Sequence, residues 1–567
     1  MKRLDAAAVF AFFATIFWFG RSHSFGGGDS PQHMLAALTW SVPHPPGYPL
    51  QTALGWLWSR LPWGDPGAAV NGLSGIFSAG AAALLFLHLK RSSSSRAASL
   101  TGAALMALAP LFWYYSLVAE VRALNDLLAL ACALLAADWA REGKPRSLAL
   151  FSFCLGLGLS HHPTFLFLLP AFAVWLSARR PSANLAAACA MIAVAALAAP
   201  YLLLGARLAY SAPVYNLFEV NGWGDLPGLF ARTGLGGPLR MAAGAPALGA
   251  RGFDFARCVE HAGWFASAMW THAGPVGLGL AALGAASLLR KERRELAAWM
   301  AWFVASAGIF LVFSSQQLPA VEPEYARAVA ARFYLLPMIA VFALAGYGAR
   351  ELRPWAGWAL LAGVFLAPLL LRPMSLSAQN PLLDYTRALV RDSKPGDFVV
   401  LGSDDTIFAA LDLELVRRET GGRVFLCPTM FAFPSYQRRL ARTYPGIVLP
   451  PLTTDWAAWK KLNPGRAVVA EASLRGAVLY DFPLSVPQGS VIRVETARVK
   501  SEPSADALRF LDAPETASFL RAGSRPWTQE VYILQSRLRQ ADWLAGRLDP
   551  RKDAALLARL NGLMDRL

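Results

Sequence analysis

About eleven apolar runs lie before Pro373, beginning near Ala6, Gly67, Ala97, Ala123, Ser147, Pro163, Asn184, Gly263, Ala297, Phe333 and Trp355. A bilayer crossing needs roughly 17–25 such residues, and a soluble core cannot hide so many runs in succession. The turns between them alternate in charge. Lys2/Arg3, Lys90-Arg91 with Arg96, Arg141 to Arg146, Arg179-Arg180, Arg290 to Arg294 and Arg350/Arg353 fall at every second turn. The positive-inside rule puts those turns, and the N-terminus with them, in the cytoplasm. The expectation is a polytopic α-helical membrane protein of about 11 transmembrane helices, in the cytoplasmic (inner) membrane of its cell.

The basic residues bear directly on function class. A formal charge of +16 suggests nucleic acid at first sight, but the cations punctuate apolar runs instead of lining one face among stacking aromatics. They are topology signals, and no nucleic-acid partner is expected. Met1-Lys2-Arg3 resembles the start of a signal peptide, yet no small-residue cleavage pattern follows, so the first run reads as an uncleaved span. Five scattered cysteines, three of them inside apolar runs, indicate neither a disulfide framework nor a thiolate metal site; only Cys258 with Cys427 stays open as a pair.

The alternation places residues 1–372 in the membrane-embedded domain, with a first outer loop over 21–66 and a large outer loop over 205–262. The apolar stretch Pro46 to Leu61 is bracketed by prolines and reads as a helix along the outer face, because counting it as a span would put Lys90 to Arg96 outside. Past residue 372 charged residues become frequent and strand-like Phe398 to Leu401, Val424 to Leu426 and Ala467 to Ala470 alternate with helical Ile407 to Arg418 and Tyr436 to Tyr444. Residues 373–567 are therefore expected to form a soluble α/β domain, extracytoplasmic if the spans are odd in number. Its last two helical stretches carry leucines at helical spacing and are expected to pack on each other or on a partner.

Once the turns are sorted, the chemistry-bearing residues fall on the outer side: Asp29, His44, Glu120, Arg122, His161, His162, Glu219, Asp225, Glu322, Glu324 and Arg332. Asp29 stands in Phe25-Gly26-Gly27-Gly28-Asp29-Ser30, where three glycines let a ligand and backbone N–H groups approach closely. It suits a general base, or else caps the helix that starts at Pro31. Glu120 and Arg122 at a span end are either functional or an interfacial ion pair, and His161-His162 either hold a substrate group or make interface hydrogen bonds. Arg332, ahead of Phe333-Tyr334-Leu335-Leu336-Pro337, is either an interfacial anchor or a grip on a phosphate. Asp29, His33 and His44 match no metal-ligand spacing motif, and no cofactor or divalent metal is expected.

Several stretches carry a resemblance. Gly27-Gly28-Asp29-Ser30, His44-Pro45-Pro46-Gly47-Tyr48-Pro49-Leu50 and Ala69-Val70-Asn71-Gly72-Leu73-Ser74 resemble the opening of GT-C-type membrane glycosyltransferases, most of all the transmembrane O-mannosyltransferases that modify plexin-type receptor domains, with their bacterial relatives. Ala119 to Asn125, Gly158 to His162, Asn221 to Asp225 and, more weakly, Val399 to Thr406 continue the likeness in order. It implies a polyprenyl-phosphate hexose donor, mannose by the resemblance, and inverting transfer to an extracytoplasmic acceptor, a protein Ser/Thr hydroxyl or else a lipid or envelope glycan. It also implies Asp29 as base; Arg332, Glu120, Arg122, His161, His162, His44 and Asp225 are the candidates for binding donor phosphate or substrate, Arg122 as a feature particular to this sequence. Two departures stand out: Gln32 where the family has an acidic residue three positions after the Asp, and Arg122 where a tyrosine is common. A transporter or lipid flippase is the rival of another class, but its usual paired repeats are missing here.

Overall fold

The computed structural model describes residues 2–92, 95–235, 237, 253–318, 323–371, 376–377, 381–471, 474, 484–495, 511, 531–546 and 548–565. The protein is a polytopic helical membrane protein. Among the described residues, six helices are long and apolar enough to cross a bilayer: Pro66–Arg91, Arg122–Glu142, Ala183–Tyr210, Phe255–Lys291, Arg293–Gln317 and Ala326–Ala349. Arg96–Leu108 and Pro110–Leu117 form a further, bent pair at 64°, and Leu4–Gly20, Pro163–Leu176 and Pro354–Leu366 are shorter apolar helices. Each of the eleven apolar runs lies in a helical segment. The bend follows from Pro110, which holds the preceding Ala109 in extended backbone (ψ 132).

Two boundaries differ from the sequence reading. The helix expected to end near Gly205 continues to Tyr210, with Pro200 inside it, and the next one starts at Phe255 instead of Gly263. Asp254 explains the early start, since its carboxylate accepts the Arg257 N–H at 3.1 Å and caps the helix. Between these two helices the described residues carry short helices at Trp223–Asp225, Leu226–Phe230 and Thr233–Leu235. Pro46 to Leu61 does carry a separate short helix, Pro49–Ser59. All five cysteines are free thiols, Cys258 and Cys427 included.

The chain divides into two compact units, one of residues 1–22, 40–214 and 220–377, the other of 23–39, 215–219 and 378–567. In the first, small residues let helices touch backbone to backbone. A Cβ on Gly284 would lie 1.9 Å from Leu344 O, and one on Gly348 1.9 Å from Leu280 O. Apolar attraction between helices is weak in lipid, so such close approach is what holds them. Gly284→Ala is expected to push the pair apart and cost about 1–3 kcal/mol, seen as a lower unfolding midpoint in detergent; an unchanged midpoint would deny the contact. At the end bearing Arg290 to Arg294, buried Glu295 accepts hydrogen bonds from His88 Nε2 (2.6 Å), Trp175 Nε1 (2.8 Å), Trp299 Nε1 (2.9 Å) and Tyr347 OH (2.9 Å). Four donors from four helical segments satisfy a charge that would otherwise be very costly to bury.

The second unit is built on a five-stranded sheet of order β2-β1-β3-β5-β4, from β1 (Phe398–Val400), β2 (Val424–Leu426), β3 (Val468–Glu471), β4 (Leu484–Gln488) and β5 (Val491–Glu495). β1 pairs in parallel with β2 and β3, while β5 runs antiparallel to β3 and β4. The three parallel strands are buried throughout, which is why they read as continuous apolar runs. Helices Val531–Ala545 and Ala554–Met564 pack on each other through Trp543, Leu544, Leu548, Leu560 and Leu563.

Candidate functional site

In the first unit the turn before the Arg122–Glu142 helix is held from below by Asn71. Its Oδ1 accepts the Ala119 N–H at 2.7 Å, and its Nδ2 donates to Ser22 O at 2.8 Å. That is the structural use of Asn71 within the Ala69 to Ser74 motif. The Glu120 carboxylate, 1% exposed, accepts the Val121 N–H at 3.1 Å, and His161 Nε2 meets Val121 O at 2.9 Å. His161 is thereby a fastener of the turn that presents Arg122.

Two guanidiniums share one aromatic ring. Arg122 lies 4.1 Å from the centroid of Phe333 and Arg332 lies 5.5 Å from it, within reach of cation–π attraction. Arg332 Nη1 stands 3.7 Å from Glu120 Oε1, so the ion pair of Glu120 runs to Arg332 and not to its sequence neighbour. Arg122 is 5% exposed, and its Nε has no hydrogen-bond partner among the described residues. A buried guanidinium N–H left unbonded is costly, and an oxyanion would satisfy it.

Tyr48 closes the group. It takes a left-handed backbone (φ 42) immediately before the Pro49–Ser59 helix, which turns its ring onto His162 at 5.9 Å and 23° and edge-on to His161 at 6.1 Å. Its hydroxyl and His44 Nε2 are 3.2 Å apart. His162 Nδ1 accepts the Thr164 N–H at 3.1 Å, which leaves Nε2 as its protonated nitrogen when neutral. Sequence reasoning missed Tyr48 and Phe333 as members; Tyr48 stands in the His44 to Leu50 motif and Phe333 adjoins Arg332. Asp225 is exposed and accepts the Asn221 N–H at 2.7 Å, a local turn contact. Glu322 and the side chain of Glu324 lie outside the described residues.

In the second unit, Asp29 directly precedes the Ser30–Thr39 helix and is partly buried. Gly28 has φ 75, the left-handed region open to glycine, and its N–H donates to Asp405 Oδ2 at 3.0 Å. Ser30 Oγ accepts the Gly26 N–H at 3.1 Å. Gln32 donates to Tyr215 OH at 3.2 Å. His33 is buried, and Glu219 is ion-paired with Arg438. Asp404 accepts the Thr429 hydroxyl at 3.1 Å. Crowding by surrounding protein and the negative charge of Asp29 raise the Asp404 carboxyl above the usual range; the Thr429 bond and the side chain's remaining access to water limit the rise. Burial, with Asp404 alongside, pushes the Cys427 thiol up to about 12, so it is no nucleophile at neutral pH.

Comparison with known proteins bears on this arrangement. Residues 29–185 match the family described as "Protein O-mannosyl-transferase TMEM260 N-terminal domain", which bears out the resemblance read from the first motifs over that stretch. Protein O-mannosyl-transferase TMEM260 of Mus musculus is 36% identical over 177 residues, 30% of this chain and 25% of that protein. The Dictyostelium discoideum protein of the same name is 23% identical over 363 residues, 58% of this chain and 42% of that one. The chain thus aligns with a quarter to about two fifths of the length of these relatives. Among solved structures, ArnT from Cupriavidus metallidurans in the apo state superposes with TM-score 0.50 at 12% identity, over 88% of this chain and 99% of that one. That likeness shows the fold, the GT-C-type membrane fold expected from the motifs.

Proposed function

We propose that the chain is a membrane glycosyltransferase that moves a mannosyl residue from a polyprenyl-phosphate donor to a Ser or Thr hydroxyl of a protein outside the cytoplasm. The observation that carries this reading is the match of residues 29–185 to protein O-mannosyl-transferases, because that stretch contains Asp29, Glu120, Arg122, His161 and His162. The buried, incompletely bonded Arg122 beside Arg332 supports an anionic ligand.

The chemistry follows from the groups. The acceptor hydroxyl attacks the anomeric carbon while Asp29 takes its proton; the new C–O bond forms on the face opposite the breaking bond to phosphate, so the configuration inverts. The departing phosphate gains charge, which Arg122 and Arg332 stabilise where water is scarce. Glu120 holds Arg332, His161 holds the Arg122 turn, and His162, His44 and Tyr48 border the group as donors for phosphate or sugar oxygens. No metal or cofactor is needed for any of these steps.

In this reading all eleven apolar helices cross the cytoplasmic membrane, with the N-terminus inside and residues 373–567 outside. A reporter active only outside the cytoplasm should then work when fused after Pro373 and fail after Arg180; the reverse pattern would overturn the topology. The activity itself is tested with purified protein, polyprenyl-phosphate-linked radiolabelled mannose and a Ser/Thr-containing peptide. Label in the peptide is the expected result. Label recovered only in lipid or envelope glycan would reassign the acceptor, and no transfer to any of them would overturn the reading.

A further inference from the structure

The carboxyl end of the parallel strands is where an open α/β sheet holds its site, because the connecting loops and helix N-termini open there. Three strand ends converge at that edge. β1 leads into Gly402–Thr406, β2 into Cys427–Thr429, and β3 ends on Glu471, which is 2% exposed. Glu471 accepts the Gly402 N–H and the Thr406 hydroxyl, the latter at 3.3 Å, so the turn after β1 is pinned from β3. Ser403 Oγ accepts the Thr406 N–H at 3.3 Å and caps the helix that follows.

Asp405, 8% exposed, is delivered by this turn, and its Oδ2 accepts the Gly28 N–H, a bond spanning 377 residues of sequence. Carboxylates in the first turn of a helix usually serve that helix's own free N–H groups. This one accepts the N–H of Gly28, whose backbone lies in the left-handed region (φ 75). Asp404, on the same turn, bonds the Thr429 side chain from the β2 end. We propose that the α/β unit positions the base: Asp405, itself oriented by the Glu471-braced turn, clamps the Gly26–Ser30 loop through Gly28 and so sets where the Asp29 carboxylate stands. The loop that carries Asp29 belongs to the same compact unit as β1–β3. The chain thus brings a carboxylate from its distant C-terminal region to the loop that carries Asp29.

The inference rests on Asp29 as proton acceptor, and the test keeps the two apart. In the full chain, Asp405→Ala removes the acceptor, Asp405→Glu keeps the charge but moves the oxygen by about one bond length, and Asp405→Asn keeps an acceptor oxygen in place. A displaced base costs up to about 100-fold, so Asp405→Ala and Asp405→Glu should lower kcat by about 10- to 100-fold with the KM for polyprenyl-phosphate mannose unchanged. Asp405→Asn should recover most of that loss, which a purely electrostatic role would not produce. Normal kcat in both the Ala and Glu variants, or a loss in KM alone, overturns the clamp. Should the Ala variant not fold, the Glu and Asn variants decide. Asp29→Asn run in parallel separates the readings: if it transfers normally the base assignment fails, whereas if it is inactive and the Asp405 variants are normal only the clamp fails.

Discussion

Asp29→Asn should still insert, fold and bind donor, yet transfer mannose on the order of 10²–10⁴-fold more slowly, the usual worth of a positioned proton acceptor. The substitution keeps size and most hydrogen-bonding capacity and removes only basicity. The structure makes the competing role concrete, since Asp29 sits immediately before the Ser30–Thr39 helix and its carbonyl accepts the His33 N–H at 2.9 Å. Asparagine caps a helix about as well as aspartate. A capping role therefore predicts near-normal transfer for Asp29→Asn, together with a loss of roughly 0.5–2 kcal/mol of stability for Asp29→Ala. Measuring transfer and thermal unfolding for both variants separates the roles, and near-normal turnover by the Asn variant removes Asp29 as base.

Arg122→Met should separate binding from stability. The methionine keeps much of the apolar contact with Phe333, while the buried guanidinium, with an Nε that no described group bonds, is lost. Hydrogen bonds to a charged group contribute about 1.5–3 kcal/mol, so donor KM should rise by about 10- to 100-fold. The protein without donor should melt about as before, since the lost contact with Phe333 is offset by removing a buried N–H that no described group bonds. Arg332→Lys should weaken donor use as well, because a lysine retains the charge and loses the planar fork. A lower midpoint with normal donor use for Arg122→Met would make Arg122 a packing element.

Much of the membrane-embedded unit was legible in the chain because its determinants are local. Apolar length decides where a helix forms in lipid, and each of the eleven runs is helical. Where a boundary was misjudged, as at Gly263, a cap residue nine positions upstream outweighed hydropathy: Asp254 starts that helix. The strands of the α/β unit were equally visible, since buried parallel strands are short apolar runs between turn residues. Candidate residues could be named from type and neighbourhood, so Asp29, Arg122 and Arg332 stood out before any coordinates.

Their partners could not. Glu120 lies two residues from Arg122 in sequence and pairs with Arg332, because a helix start carries neighbours to different faces while a distant helix end arrives at 3.7 Å. Tyr48 turns onto His162 through a left-handed backbone that no local pattern announces. Gly284 and Gly348 read as ordinary small residues until two helices meet at them. Gly28 and Asp405, 377 residues apart, meet by a hydrogen bond whose two ends each look like a plain turn. Hydropathy, charge alternation and caps act over a few residues and so were written in the chain itself; which carboxylate meets which cation or N–H is a matter of long-range closure, and only the tertiary structure decided it.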